Sequence, residues 1–139
     1  MNRHTTTFID RSGLTESILM LEHEKSDLIL RANLLQSQGE YEASTDKFAE
    51  AAFLEERLAS ELKRIGKLEK VFVHQFSALS CWVQAGDLHH ALQIGQQLLE
   101  SEKLTVVQRK QLEDYLSTLR ERVVQWIREW HPISFAADA

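Results

Sequence analysis

Histidine and cysteine, the residue types that most often perform chemistry, are few and scattered in this chain. Six histidines and one cysteine occur among its 139 residues. His89 and His90 are adjacent, so on a helix their side chains point about 100° apart and share no face. A metal site needs three or four converging ligands, and no pair of histidines here has the spacing of helical metal ligands. We therefore predict no metal, no cofactor and no enzyme activity.

One spatial arrangement would reopen the question of catalysis, namely a gathering of His74, Cys81 and His89. A nucleophilic cysteine needs a base and a positive environment, but His74 precedes Cys81 by two helical turns. Cys81 lies in an apolar segment beside Trp82, which favours a buried structural thiol. A single cysteine also excludes an internal disulfide and suits a reducing compartment, so we expect a cytoplasmic protein.

The distribution of charge argues against nucleic-acid binding. The formal net charge is −5, and residues 15–62 hold 11 acidic against 4 basic side chains. Such an acidic segment repels a phosphate backbone and predicts a protein partner with a basic segment. A denser basic cluster, Lys63, Arg64, Lys67 and Lys70, fits charge complementarity at helix ends. No segment approaches ~18 uninterrupted apolar residues, so we expect no membrane span.

The elements that would position any site are helices. One proline and five glycines in so long a chain favour helices over strands. Gly39, Gly66 and Gly86 each follow an apolar pattern of helical period and predict helix ends. Thr105 with Gln108 three residues on matches a capping box, whereas either Ser12 or Thr15 could cap the first helix. The predicted helices cover approximately 15–37, 40–65, 67–85, 87–101 and 105–131.

We predict an all-α fold of about five antiparallel helices, because short connections make consecutive helices antiparallel neighbours. The expected organisation is a flexible leader over residues 1–13, a single domain over 14–131 and a C-terminal tail over 132–139. Two charged residues interrupt the apolar stripes. Lys25 breaks the stripe of the first helix, where its stem could lie along the core and its amine could reach water. Glu55 breaks the stripe of the second helix.

The turns at Gly39 and Gly86 are alike and 47 residues apart. Each glycine is followed by an acidic residue and then by a large apolar residue, and a small residue comes three positions after that. Such self-similarity is typical of helical repeats. The first copy resembles the tetratricopeptide repeat in its order of small, bulky and aromatic positions: Ala32, Leu35, Gly39, Tyr41, Ser44, Phe48 and Ala51. The second copy matches it at Trp82, Gly86, Leu88 and Ala91.

The resemblance covers roughly residues 28–100 and departs from the family in its period of 47 rather than 34 and in lacking the closing proline. It implies stacked helical hairpins, with the last helix as a terminal cap, and a groove between first helices that binds a peptide or a helix. A plain five-helix bundle is the alternative.

We therefore expect a non-catalytic adaptor, scaffold or regulatory subunit that binds another protein. The predicted partner-binding residues are Lys25, then Asn33 and Gln75 in the groove, together with Trp126 and Trp130 near the chain end. Those two tryptophans lie four residues apart on one helix face, where they either close the core or dock on a partner or a second copy of the chain.

An alternative function is a helical bundle that senses a ligand or a signalling peptide. Phe72, Phe76 and Trp82 would line its interior pocket, and Gly95 would leave the necessary gap. A pocket of several hundred Å³ would favour this alternative.

Overall fold

The computed structural model describes residues 14–130, which fold into five α-helices. No β-strand occurs among these residues, so the predicted all-α class is confirmed. The predicted leader (1–13), the tail (132–139) and Ser12 lie outside the described residues, and for Trp130 only the backbone is described. The helices are α1 (Glu16–Ser37), α2 (Tyr41–Arg64), α3 (Leu68–Gln84), α4 (Leu88–Leu99) and α5 (Val106–Trp130).

The first three helices end in the same kind of turn, as the glycine pattern predicts. Gly39, Gly66 and Gly86 have φ angles of +79°, +80° and +84°, a region that glycine adopts without strain. After each glycine, the N–H of the next residue donates to a carbonyl five residues earlier at 2.9 Å, which closes a Schellman motif. Each connection is three residues long, so α1, α2 and α3 run antiparallel to their successors.

Threonine side chains cap two of the helices. The Thr15 hydroxyl accepts a hydrogen bond from the Ile18 N–H at 3.2 Å, so the cap of α1 is Thr15. At the start of α5, the Gln108 N–H donates to the Thr105 hydroxyl at 3.0 Å, and the Thr105 N–H donates to the Gln108 side chain at 3.1 Å. The predicted capping box is therefore confirmed.

The chain divides into two compact units, with the boundary inside α4. Unit 1 comprises Met1–Ile94 and unit 2 comprises Gly95–Ala139. In unit 1, α2 packs against both α1 and α3. The prediction of a single domain over residues 14–131 stays a prediction.

The core of unit 1 is apolar and contains one close approach between helix backbones. Ile18, Leu58 and Leu62 are fully buried between α1 and α2, and each such side chain contributes about 1.5–3 kcal/mol relative to an exposed one. The Ser44 hydroxyl donates to the Ala32 carbonyl at 2.8 Å. Small residues at these two positions therefore let α1 and α2 approach closely and satisfy the buried hydroxyl.

In unit 2, the last turn of α4 packs against the first half of α5. A Cβ atom on Gly95 would lie 2.6 Å from Leu116 Cδ2, so the Leu116 side chain fills the space beside this glycine. The expectation that Gly95 leaves a ligand-sized gap is therefore wrong. The Arg109 guanidinium donates to the carbonyls of Leu99 and Ser101, both at 2.8 Å, and holds the α4–α5 connection.

Candidate functional site

The interior of unit 1 contains four titratable side chains, which we call the charged cluster: Glu22, Lys25, Glu55 and His74. Glu55 on α2 and His74 on α3 are 1% and 7% exposed. The side chains of Lys25 and Glu22, both on α1, are 17% and 38% exposed. Three helices thus bring charged groups to one largely buried position.

His74 lies between two carboxylates. Its Nδ1 is 2.7 Å from Glu55 Oε1, and its Nε2 is 3.0 Å from Glu22 Oε1. A neutral imidazole donates from one nitrogen only, whereas an imidazolium donates from both. The Nδ1 contact is a hydrogen bond that joins α3 to α2, and the Nε2 contact brings α3 against Glu22 of α1.

Lys25 completes the charge balance of the cluster. Its Nζ lies 3.8 Å from Glu55 Oε1, so the two residues that interrupt the apolar stripes of α1 and α2 are ion-paired with each other. A buried charge is tolerated only when it is paired and hydrogen-bonded, and Glu55 meets both conditions.

The chemistry of the charged cluster is therefore structural. Among the described residues, no buried side-chain nitrogen or oxygen lacks a hydrogen-bond partner. A general acid or base must reach its substrate, but the Glu55 carboxylate is enclosed and faces His74 and Lys25. The Lys25 side chain, expected to lie along the core with its amine in water, is 17% exposed and pairs with Glu55. In residues 14–130, no group of three or more His, Cys, Asp or Glu side chains has metal-site geometry.

Cys81 lies within the electrostatic reach of the charged cluster. Burial, and then the negative charge of Glu55, raise the pKa of the Cys81 thiol to about 11, against a smaller opposing effect of Lys25. Since the thiolate is the nucleophile, the side chain stays a protonated thiol at neutral pH. Cys81 is buried, whereas His89 is exposed on α4. A nucleophilic cysteine and its base must share one accessible position, and these two side chains do not.

A second polar arrangement anchors the start of α4 within unit 1. The Trp82 indole N–H donates to Glu56 Oε2 at 2.7 Å, and His90 Nε2 lies 3.3 Å from the same oxygen. The rings of Trp82 and His90 stack with centroids 4.1 Å apart, and Phe53 meets Trp82 edge-on. Trp82 is buried, so these contacts cover its ring, which leaves no opening for the predicted pocket at this residue.

The second half of α5 has a different character. Leu112, Leu116 and Leu119 of the predicted heptad stripe are buried, the last at 4% exposed. Beyond them, Val124 and Trp126 are 42% and 54% exposed. We call residues Val123, Trp126 and Ile127 the distal face of α5; Val123 and Ile127 are half-buried. Residues three and four apart are neighbours on a helix, so Val123 lies beside both Trp126 and Ile127, whereas Val124 points away from Trp126.

The structure distributes the predicted partner-binding residues over both units. Lys25 belongs to the charged cluster, Asn33 is exposed on α1, and Gln75 is half-buried on α3. Trp126 lies on the distal face of α5, and Trp130 is the last residue of that helix. The first three belong to unit 1 and the two tryptophans to unit 2.

Sequence reasoning missed the charged cluster, although two signals for it are present. Lys25 and Glu55 carry opposite charges and each interrupts the apolar stripe of its helix. Buried charges on neighbouring helices are tolerated when they pair with each other. His74 carried no comparable signal, because isolated histidines are common on partly buried faces.

No family model, curated protein or solved structure matches this chain.

Replacing Glu55 tests whether the charged cluster stabilises the fold. Glu55→Ala leaves the Lys25 ammonium and the His74 ring without their shared carboxylate, and we expect the free energy of unfolding to fall by about 3 kcal/mol. Urea denaturation followed by circular dichroism measures this change.

Glu50→Ala is the matched control on the same helix. Glu50 pairs with Lys47 at 3.2 Å, but its side chain is largely exposed. Loss of an exposed ion pair changes the free energy of unfolding by less than about 1 kcal/mol. Equal effects of the two substitutions would contradict a stabilising role for the charged cluster.

The raised pKa of Cys81 predicts a specific loss of stability in alkaline solution. The ordinary thiol pKa is 9.0 and the folded value is about 11. Above pH 9.0 the unfolded chain releases this proton while the native chain keeps it, so unfolding becomes easier until the native thiol also ionises near pH 11. Below pH 9.0 the contribution is fully present.

The measurement is urea denaturation between pH 8 and pH 11 for the native sequence and for Cys81→Ala, which lacks the titrating thiol. We expect the native sequence to lose stability more steeply than the variant across this range. Parallel profiles would show that Cys81 is not protected from ionisation.

Proposed function

We propose that this chain is a non-catalytic protein-binding module, an adaptor or regulatory subunit whose main binding surface is the distal face of α5. The observation that carries this proposal is the 54% exposure of Trp126 in a heptad stripe whose earlier members are buried. A large aromatic side chain contributes much of the energy of a protein interface when a partner desolvates it.

The pattern of exposure supports a binding surface over a structural one. Val123 and Trp126 continue the stripe that Leu112, Leu116 and Leu119 begin. A contiguous exposed apolar patch with charged neighbours is typical of a protein interaction site. The charged neighbours on this part of α5 are Arg120, Glu121, Arg122, Arg128 and Glu129.

Unit 1 offers a secondary surface of different chemistry. Asn33 on α1 is exposed and Gln75 on α3 is half-buried, and α1 and α3 are linked through His74 and Glu22. We include them as the polar wall of a groove for a basic segment, because residues 15–62 are strongly acidic. Classification with the tetratricopeptide-like hairpins is part of the proposal, supported by the Ser44–Ala32 contact at two of the small-residue positions.

Two further observations support this reading. The Cys81 thiol, whose pKa is raised to about 11, is a poor nucleophile, which supports a non-catalytic role. No helix within residues 14–130 is both long and apolar enough to cross a bilayer. We place the chain in the cytoplasm because a single cysteine suits a reducing compartment.

The ligand-sensing bundle is the second candidate function. Depressions of about 470 and 340 Å³ lie along α5, volumes that are typical of ligand sites. Each is lined by residues of this one helix, Val124 among the first and Trp126 among the second. A depression with a single helical wall encloses no ligand, so it fits a docking surface for a larger partner better.

The proposal predicts that Trp126→Ala removes a protein partner. Tagged chain is incubated with native lysate at low salt, and the captured proteins are identified by mass spectrometry. Loss of an interface tryptophan costs about 2 kcal/mol or more, so we expect the captured partner to fall at least tenfold.

Val107→Ala is the control, because Val107 is an exposed apolar residue of α5 outside the distal face. Both variants are first shown by circular dichroism to be as helical as the native sequence. Partners that survive Trp126→Ala as well as they survive Val107→Ala would contradict the proposal.

A further inference from the structure

We propose that the occupant of the distal face of α5 is a second copy of this chain, whose α5 packs against it in antiparallel orientation. This inference rests on the proposed function, since it names the partner of the same surface. Three properties of residues 119–130 carry it: the heptad register, the sizes of the side chains in that register and the charges that flank it.

The heptad register continues after the chain's own core ends. Leu112, Leu116, Leu119, Val123 and Trp126 alternate in spacings of four and three, and position 130 follows in step. An apolar repeat of 3.5 residues on average is the signature of one helix packing against another. Leu119 is the last buried member, while Trp126 is 54% exposed. The register therefore calls for a helix that covers the stripe beyond Leu119.

Side-chain size favours an antiparallel second copy over a parallel one. With the two-fold axis between residues 124 and 125, Val123 of each copy lies opposite Trp126 of the other. Each layer then combines a larger residue type with a smaller one, which is the condition for close packing. A parallel pair in register would instead place Trp126 against Trp126.

The flanking charges favour the same orientation. Arg122 and Glu129 lie on one edge of the stripe, at equivalent heptad positions, and both are exposed. Within a single helix they are seven residues, or about 10.5 Å, apart. In the antiparallel pair, Arg122 of each copy faces Glu129 of the other, which gives two ion pairs related by symmetry. A parallel pair would place Arg122 near Ile127 instead.

The contact predicts a weak dimer. Twelve residues of helix span about 18 Å, and two such segments bury less than the ~1,200–2,000 Å² of a stable standard-size interface. Glu129 also accepts a hydrogen bond from Gln125 at 3.1 Å, which orients its carboxylate along the helix edge. Self-association is therefore expected to depend on protein concentration and on salt.

Sedimentation velocity of the purified full chain from about 1 µM to about 500 µM at low salt measures this equilibrium. We expect a concentration-dependent monomer–dimer equilibrium that Trp126→Ala abolishes and Val107→Ala preserves. Arg122→Glu alone and Glu129→Arg alone each replace two attractions by two repulsions, so each weakens self-association roughly tenfold.

Mixing the two charge variants makes the test specific for orientation. In an antiparallel heterodimer, the carboxylates of the Arg122→Glu chain face the guanidinium groups of the Glu129→Arg chain at both symmetry-related positions. We expect the equimolar mixture to regain the affinity of the native sequence. If the mixture self-associates no more tightly than either variant alone, the antiparallel pairing is overturned.

A native chain that stays monomeric at every concentration would overturn the inference, and the lysate experiment then separates it from the proposed function. If Trp126→Ala still removes a captured protein, the distal face binds a different partner and only the second copy is excluded. If that loss is also absent, the proposed function fails as well.

Discussion

The burial of one carboxylate, that of Glu55, is the constraint on which the helical arrangement of unit 1 depends. A carboxylate at 1% exposure destabilises a fold unless cations and hydrogen bonds compensate it. Lys25 of α1 and His74 of α3 supply that compensation at 3.8 and 2.7 Å. Because the two partners come from different helices, their contacts with Glu55 link both α1 and α3 to α2. Apolar packing and the charged cluster therefore act at the same helix contacts.

The side chains that compensate the buried Glu55 carboxylate are engaged inside unit 1, so we look for the binding surface elsewhere in the chain. The buried charged groups are engaged with one another, and the Cys81 thiol beside them has a pKa raised to about 11, so the interior of unit 1 offers no reactive group at neutral pH. At the surface, the apolar stripe of α5 that begins in a core continues past it to Trp126, which is 54% exposed. Our proposal is that a partner covers this part of the stripe.

Local signals predicted the helices well, since their ends depend on neighbouring residues. Gly66 ends α2 in the left-handed conformation, and Thr105 with Gln108 begins α5, as their residue types imply. The charged cluster could not be predicted as a unit, because Lys25 and Glu55 are 30 residues apart in sequence. Their pairing depends on tertiary packing. For the same reason the space beside Gly95 looked empty in sequence, whereas Leu116 of the next helix fills it.

Amide hydrogen exchange at low and at high protein concentration tests most directly whether the distal face of α5 is a binding surface left uncovered by its own chain. If this face is uncovered, residues 120–130 exchange much faster in dilute solution than residues 112–119, whose stripe is buried. Raising the protein concentration then slows exchange in residues 120–130 selectively, because a second copy covers them. Equal, strong protection of both segments in dilute solution would show that the chain covers this face itself, and would contradict the account.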